Sequence, residues 1–269
     1  MTTTIKHILA AMLVAMMSCG IVFADDRTPT DAPKELRVLC YNIHVGVGND
    51  GKLDLERTAR TIMEQKPDLV AIQEIDRNTE RTQKIDQVAE LKRLTGMHAV
   101  FGKTIDFSGG EYGLAILSKY PISEHKITPL PQLGNREERG ALEATIKLDD
   151  QPGHRDMSLT FVSTHFCHQS EERRAMQAEK INELLSNRDG LVIVAGDFNA
   201  TPDSKTIVTM KAKWSDATND ELTFPSDRPR VKIDYIFYRP GEMLRIKETR
   251  VIHEPVTSDH SPVLSVFSL

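Results

Sequence analysis

The stretch VIVAGDFNATPDS, residues 192–204, decides the reading of this chain. Val192 to Ala195 is an unbroken apolar run with no polar alternation, the signature of a strand buried on both faces. It leads directly into Asp197 and Asn199 and then a proline turn. An Asn-Ala-Thr-Pro turn accounts for some of that polarity. It does not account for other strands ending in the same way, and that recurrence sets the search for the rest of the fold.

Working outward, 36–42 reads as a strand, and 55–65 as a helix with Leu55, Ala59, Ile62 and Met63 at helical spacing. Pro67 stops it, and 68–74 follows as another buried strand. Residues 86–96 form a helix closed by Gly96. Strands are expected at 113–121, 141–148 and 157–165, then a long helix 171–185 capped by Ser170. After 191–197, strands 233–238 and 261–267 close the chain. Helices alternate with some strands, whereas others follow each other directly. The expected architecture is therefore α/β with mixed sheets, two of them packed face to face and helices on both outer faces.

Polar side chains collect at the strand ends. Asn42, Gln73-Glu74, His165, and Asp197 with Asn199 finish four strands, while Asp234 and Asp259-His260 begin the last two. The end of one strand and the start of its antiparallel neighbour lie at the same sheet edge, so one rim can hold all of them. Taken singly, Asn42 reads as a turn former, His165 as a hydrogen-bonded core histidine and Asp259-His260 as a hairpin corner. Six segments sharing the pattern point instead to a site. Clustered carboxylates repel unless a cation joins them, and oxygen donors suit Mg²⁺, Mn²⁺ or Ca²⁺ over zinc. Carboxylates, a hard metal and nearby imidazoles fit hydrolysis of a phosphate ester.

In these motifs the chain resembles the endonuclease/exonuclease/phosphatase superfamily: YN (41–42), QE (73–74), LSKYP (117–121), STH (163–165), GDFN (196–199), IDYIF (233–237) and SDH (258–260), in family order. The resemblance implies a four-layer α/β sandwich over 36–269 and a metal-dependent phosphoesterase using Mg²⁺, with Mn²⁺ or Ca²⁺ as alternatives: a phosphodiesterase or endonuclease-like hydrolase in the first place, with a phosphatase or a sphingomyelinase-like lipid phosphodiesterase of the same fold as the alternative. It implies Glu74 as the main metal ligand, the Asn42 side-chain oxygen close by, and Asp259 supporting the metal region. It also implies that Asp197 activates water, Asn199 holds phosphate or that water, and His260, oriented by Asp234, and His165 contact the phosphate. Arg139 and Tyr112 are expected to line the substrate groove, with Gly110 and Gly113 letting backbone approach the substrate. His44 is a lesser rim candidate.

Composition bounds the rest. The chain has 269 residues, 39% hydrophobic and 27% charged, with a net charge of −5, which disfavours sequence-independent nucleic-acid binding. Lys6, an apolar run from Ile8, and Val22-Phe23-Ala24 read as a signal peptide over 1–24, followed by a short linker, 25–35. Export to the periplasm or medium follows, with lipid anchoring through Cys19 as a weaker reading. Removal of 1–24 leaves Cys40 and Cys167, expected as two buried free thiols. The substrate is a phosphoester, from nucleic acid or a small or lipid-derived molecule, and a monomer is expected. Arg228, Arg230 and Lys232 lie in a loop beside Asp234 as a candidate phosphate-binding cluster. The competing classes are a non-catalytic binding module and a zinc protein built on His165 and His168.

Overall fold

The computed structural model describes residues 35–134, 137–148, 157–241 and 244–269. The signal-peptide and anchor readings, and the linker up to residue 34, lie outside these residues.

Among the described residues, twelve strands and four α-helices follow in the order β1 (Glu35–Asn42), α1 (Leu55–Glu64), β2 (Leu69–Arg77), α2 (Gln87–Thr95), β3 (His98–Phe107), β4 (Gly110–Ser118), β5 (Ile122–Pro129), β6 (Gly140–Lys147), β7 (Ser158–His165), α3 (Glu171–Leu185), β8 (Leu191–Asp197), α4 (Lys205–Lys211), β9 (Ser215–Asp216), β10 (Asp234–Arg239), β11 (Arg245–Val251) and β12 (Val263–Ser268). Each helix begins where a side chain accepts one of the free backbone N–H groups of the first turn: Asp54 from Arg57, Asp86 from Ala89, Ser170 from Arg173 and Ser204 from Ile207. Gly96 ends α2 in the left-handed conformation, as its position predicts.

The strands form two six-stranded sheets, ordered β11-β12-β1-β2-β4-β3 and β5-β6-β7-β8-β10-β9. In each sheet one central pair is parallel, β1 with β2 and β7 with β8, and the other pairings are antiparallel. Alternating side chains divide the core into three layers. From β1, Val38 and Cys40 enter the layer between the sheets, where they meet Phe161, Ile193, Ala195 and Ile236. Leu39 and Tyr41 face the other way, into the layer under α1 and α2 with Ile62 and Leu91. On the far side Val192 and Val194 pack with Ile181, Leu185, Ile207 and Met210 of α3 and α4. Both faces of the central strands are buried, which is why their sequences are continuously apolar. The expected four-layer sandwich is the observed fold.

Cys40 and Cys167 are buried and unpaired, as expected. The sequence pattern left β3, β5, β11, the two-residue β9 and helix α4 unassigned. β3, β5 and β11 are mostly exposed or half-exposed and all three are edge strands, so neither a buried apolar run nor a clean alternation marks them.

Candidate active site

Pairing register builds the rim. Parallel pairing sets His165 beside Asp197, and antiparallel pairing sets Asp197 beside Asp234. In the facing sheet β1 and β2 set Asn42 beside Gln73. Asn42 joins the two sheets: its Nδ2 donates to Glu74 Oε1 at 3.1 Å and to Asp197 Oδ2 at 3.2 Å. Its oxygen accepts from the backbone N–H of His44 at 3.1 Å. The amide nitrogen therefore faces the carboxylates, where the sequence reading expected the oxygen. His44 supplies that backbone donor, and its own ring turns to the Val47 carbonyl.

Glu74 reaches the rim through a β-bulge. Ile72 pairs with Ala115 and Ile75 with Gly113, so Gln73 and Glu74 together oppose one residue of β4. Ile72 and Ile75 are three residues apart yet both pack in the layer beneath α1 and α2, which strict alternation forbids. The extra residue absorbs the difference. Glu74 takes a left-handed φ of 54° and lines the cavity, while Gln73 stays buried and donates to Ser163 Oγ.

Asp197 is held from several sides. Its Oδ1 accepts from the backbone N–H of Asn199 at 2.8 Å, and Asn199 sits at φ 49°, a conformation asparagine tolerates. The Asn199 amide donates to the Phe166 carbonyl. Phe198, between them, points back into the core against Phe166, Tyr235 and Phe237 at centroid distances of 4.7, 5.7 and 5.2 Å. Gly196 is required where it stands, since a Cβ there would collide with the Thr164 carbonyl of β7.

Two imidazoles flank Asp197 in opposite charge states. His165 Nε2 lies 3.4 Å and His260 Nε2 3.6 Å from Asp197 Oδ2. His260 Nδ1 faces both oxygens of Asp234, at 3.0 and 3.2 Å, so Nδ1 is the donor. Burial works against its charge, but Asp234 and Asp197 outweigh burial and raise its pKa to about 10. His165 Nδ1 instead meets the Arg139 guanidinium at 2.9 Å. Arginine can only donate, so Nδ1 is unprotonated and the proton of His165 sits on Nε2, toward Asp197. Burial, then Arg139, His260 and His168, hold its pKa well below the usual value. Asp197 is raised to about 7, by burial first and by Asp234 and Glu74 in addition, against the opposing charge of His260.

Arg139 is only 4% exposed and lines the cavity, where the sequence reading expected it. It also ion-pairs with Glu137 at 2.9 Å and approaches His168 Nδ1 at 3.4 Å. A guanidinium thus lies against the Nδ1 atoms of both His165 and His168, a positively charged neighbour that argues against these two rings as a zinc site. Tyr112 is buried at the cavity wall, and burial followed by Glu74 pushes its hydroxyl well above the usual range. Gly113 serves sheet packing, since a Cβ would strike the Gly102 carbonyl. At Gly110 it would strike the backbone of Arg77 and Asn78. Neither glycine is opened for a substrate, contrary to expectation. Arg228 and Arg230 are exposed and Lys232 turns inward to Asp216 and the Tyr235 ring. Their loop contributes Phe224 to the cavity instead, packed 4.7 Å from the His260 ring.

These residues enclose a cavity of about 330 Å³, lined among others by Glu74, His165, Asp197, Asn199, Asp259 and His260. Sequence reasoning missed Arg81, Phe107 and Phe224 on its walls, because nothing in their local pattern marks them. Among the described residues, Asp197, Asp234 and His260 are the acid–imidazole group whose donor atoms lie within 4.8 Å of one another. Asp234 there is occupied by His260. The carboxylates of Glu74 and Asp259 line the cavity, where neither has an Arg or Lys partner among the described ion pairs. An oxygen donor set of this kind fits a hard divalent cation.

No curated protein matches the sequence. Among solved structures, an endonuclease/exonuclease/phosphatase from Beutenbergia cavernae shares 22% identity over 88% of this chain and 72% of its own, with a TM-score of 0.70. The Bacteroides thetaiotaomicron mannosyl-6-phosphatase shares 19% identity over 87% of this chain and 100% of its own, also at 0.70. The human Nocturnin catalytic domain with bound sulfate shares 18%, over 87% and 94%, at 0.67. At such identities these similarities concern the fold. The family model for the endonuclease/exonuclease/phosphatase family matches residues 39–260, which takes in the whole rim from Asn42 to His260 and every strand except β12 and the first half of β1, and the chain belongs to that family.

Proposed function

We propose that the protein is an exported metal-dependent phosphoesterase that hydrolyses a small phosphoester by in-line attack of water on phosphorus. The observation that carries this reading is Asp197 set between a neutral imidazole and a charged one, in the same cavity as Glu74. A carboxylate with a pKa of about 7 is matched to taking a proton near neutral pH. Asp197 accepts the proton of the attacking water as the oxygen–phosphorus bond forms and the bond to the leaving oxygen breaks. The Nε2–H groups of His260 and His165 donate toward the phosphoryl oxygens, where negative charge builds up. Asp234 fixes the His260 ring and its charge, and Arg139 fixes the His165 tautomer. Asn199 and Tyr112 border the phosphate.

Glu74 and Asp259 would hold the divalent cation, Mg²⁺ in the first instance, with Asn42 tying Glu74 to Asp197. When bound, such a cation neutralises charge on the phosphoryl group. A cavity of about 330 Å³ is at the small end for ligand sites, and with the net charge of −5 it favours a small substrate over a duplex. Export rests on residues 1–24.

The test is hydrolysis of p-nitrophenyl phosphate, bis-p-nitrophenyl phosphate, plasmid DNA and sphingomyelin with Mg²⁺, Mn²⁺ or EDTA. The expected result is metal-dependent turnover of the small esters. Activity undiminished by EDTA, or none on any ester by folded protein, would sink the proposal.

A further inference from the structure

The hairpin between β3 and β4 brings an aromatic ring, Phe107, to the wall of the cavity. Phe107 pairs with Gly110 across a two-residue turn, Ser108-Gly109, with φ of 45° and 74°, the positive pair that fits the twist of a hairpin. The tip is fastened on its other side, where Glu80 N–H donates to the Ser108 carbonyl at 2.9 Å and Gly110 packs against the backbone of Arg77 and Asn78.

Phe107 is nevertheless 40% exposed. The Arg81 guanidinium lies 4.3 Å from its centroid and 5.3 Å from that of Tyr112. Arg81 itself is clamped by buried Asp76 through two bonds of 2.7 and 2.8 Å, and Asp76 is held in turn by Thr79 Oγ at 2.6 Å. A large apolar ring backed by a fixed cation, with area left open to solvent, loses little freedom when a flat group stacks on it. Arg81, Phe107 and the phosphate-facing pair His165 and His260 line the same cavity. A ligand of mononucleotide size is thus offered a place for its phosphate and an aromatic surface beside it.

We infer that the organic part of the substrate carries a planar heteroaromatic ring, of mononucleotide size, and that Phe107, backed by Arg81, is the platform on which it stacks. This rests on the phosphoesterase reading for the position of the phosphate. Stacking of a base on an aromatic side chain is worth roughly tenfold or more in affinity.

The experiment compares calorimetric affinities of inorganic phosphate, ribose 5-phosphate and adenosine 5′-monophosphate for the full chain in Mg²⁺, with Asp197→Asn to prevent turnover. Adenosine 5′-monophosphate is expected to bind about tenfold more tightly than ribose 5-phosphate. Phe107→Ala should reduce that ratio to about one, and Phe107→Trp should restore it. Equal binding of the two compounds, or a ratio unchanged in Phe107→Ala, overturns the platform while leaving the phosphate site standing. Failure of all three compounds to bind removes the phosphate site and this inference with it. A single-stranded tetranucleotide binding far more tightly than its mononucleotide would reassign the ring to polymer recognition and overturn the small-substrate assignment.

Discussion

His260 owes its charge to Asp234 and Asp197, and Asp234 and His260 were legible in sequence because one begins β10 and the other comes just before β12. Replacing His260 by Ala should lower kcat by roughly 10²–10⁴ while the fold is kept; an unchanged kcat would remove the imidazole from the mechanism. The same pair sets a pH dependence of stability. The folded pKa of about 10 lies above the unfolded value near 6.5, so the stabilisation is fully present below pH 6.5 and lost as pH rises through 10. In EDTA, Asp234→Asn should therefore destabilise the protein more at pH 7 than at pH 10, read by urea titration. An equal loss at both values would mean that His260 is uncharged. Arg139 was expected at the groove, but its contact with two imidazoles was not legible. Its partners His165 and His168 lie 26 and 29 positions away, so no local pattern reveals a guanidinium turned onto two imidazoles.

At the scale of the element, the end of β8 shows how core and site are tied. Phe198 anchors the two residues that face the cavity by burying its ring among three others. Phe198→Ala should cost roughly 3–5 kcal/mol in urea unfolding, the range for large-to-small changes in aromatic cores. A loss under 1 kcal/mol would show that the ring is not the anchor. The GDFN run was readable because an apolar strand stops abruptly at a charge. The bulge in β2 was not readable, since Gln73-Glu74 after a buried strand has the same appearance with or without an extra residue. β5 and β11 were missed for a related reason: an edge strand with an exposed face carries too few apolar positions to distinguish it from a loop.

For the whole molecule, the site exists because two sheets packed face to face bring their strand ends to one rim. Asn42 and Glu74 come from one sheet, and His165, Asp197 and Asp234 come from the other. The sandwich was legible from strands buried on both faces, whereas the partnership across the sheets depends on packing that no local pattern encodes. Because carboxylates of both sheets face one cavity, a divalent cation should stabilise the folded state by mass action. Mg²⁺ should raise Tm in the wild type and much less in Glu74→Gln, by scanning calorimetry; an equal rise in both would place the cation elsewhere. The most direct measurement is the rate of bis-p-nitrophenyl phosphate and p-nitrophenyl phosphate hydrolysis by wild type and Asp197→Asn, in Mg²⁺ and in EDTA. Turnover seen only for the wild type with Mg²⁺ is expected. Turnover that survives in Asp197→Asn with Mg²⁺ would contradict the assignment of this cavity as the centre of phosphoester hydrolysis.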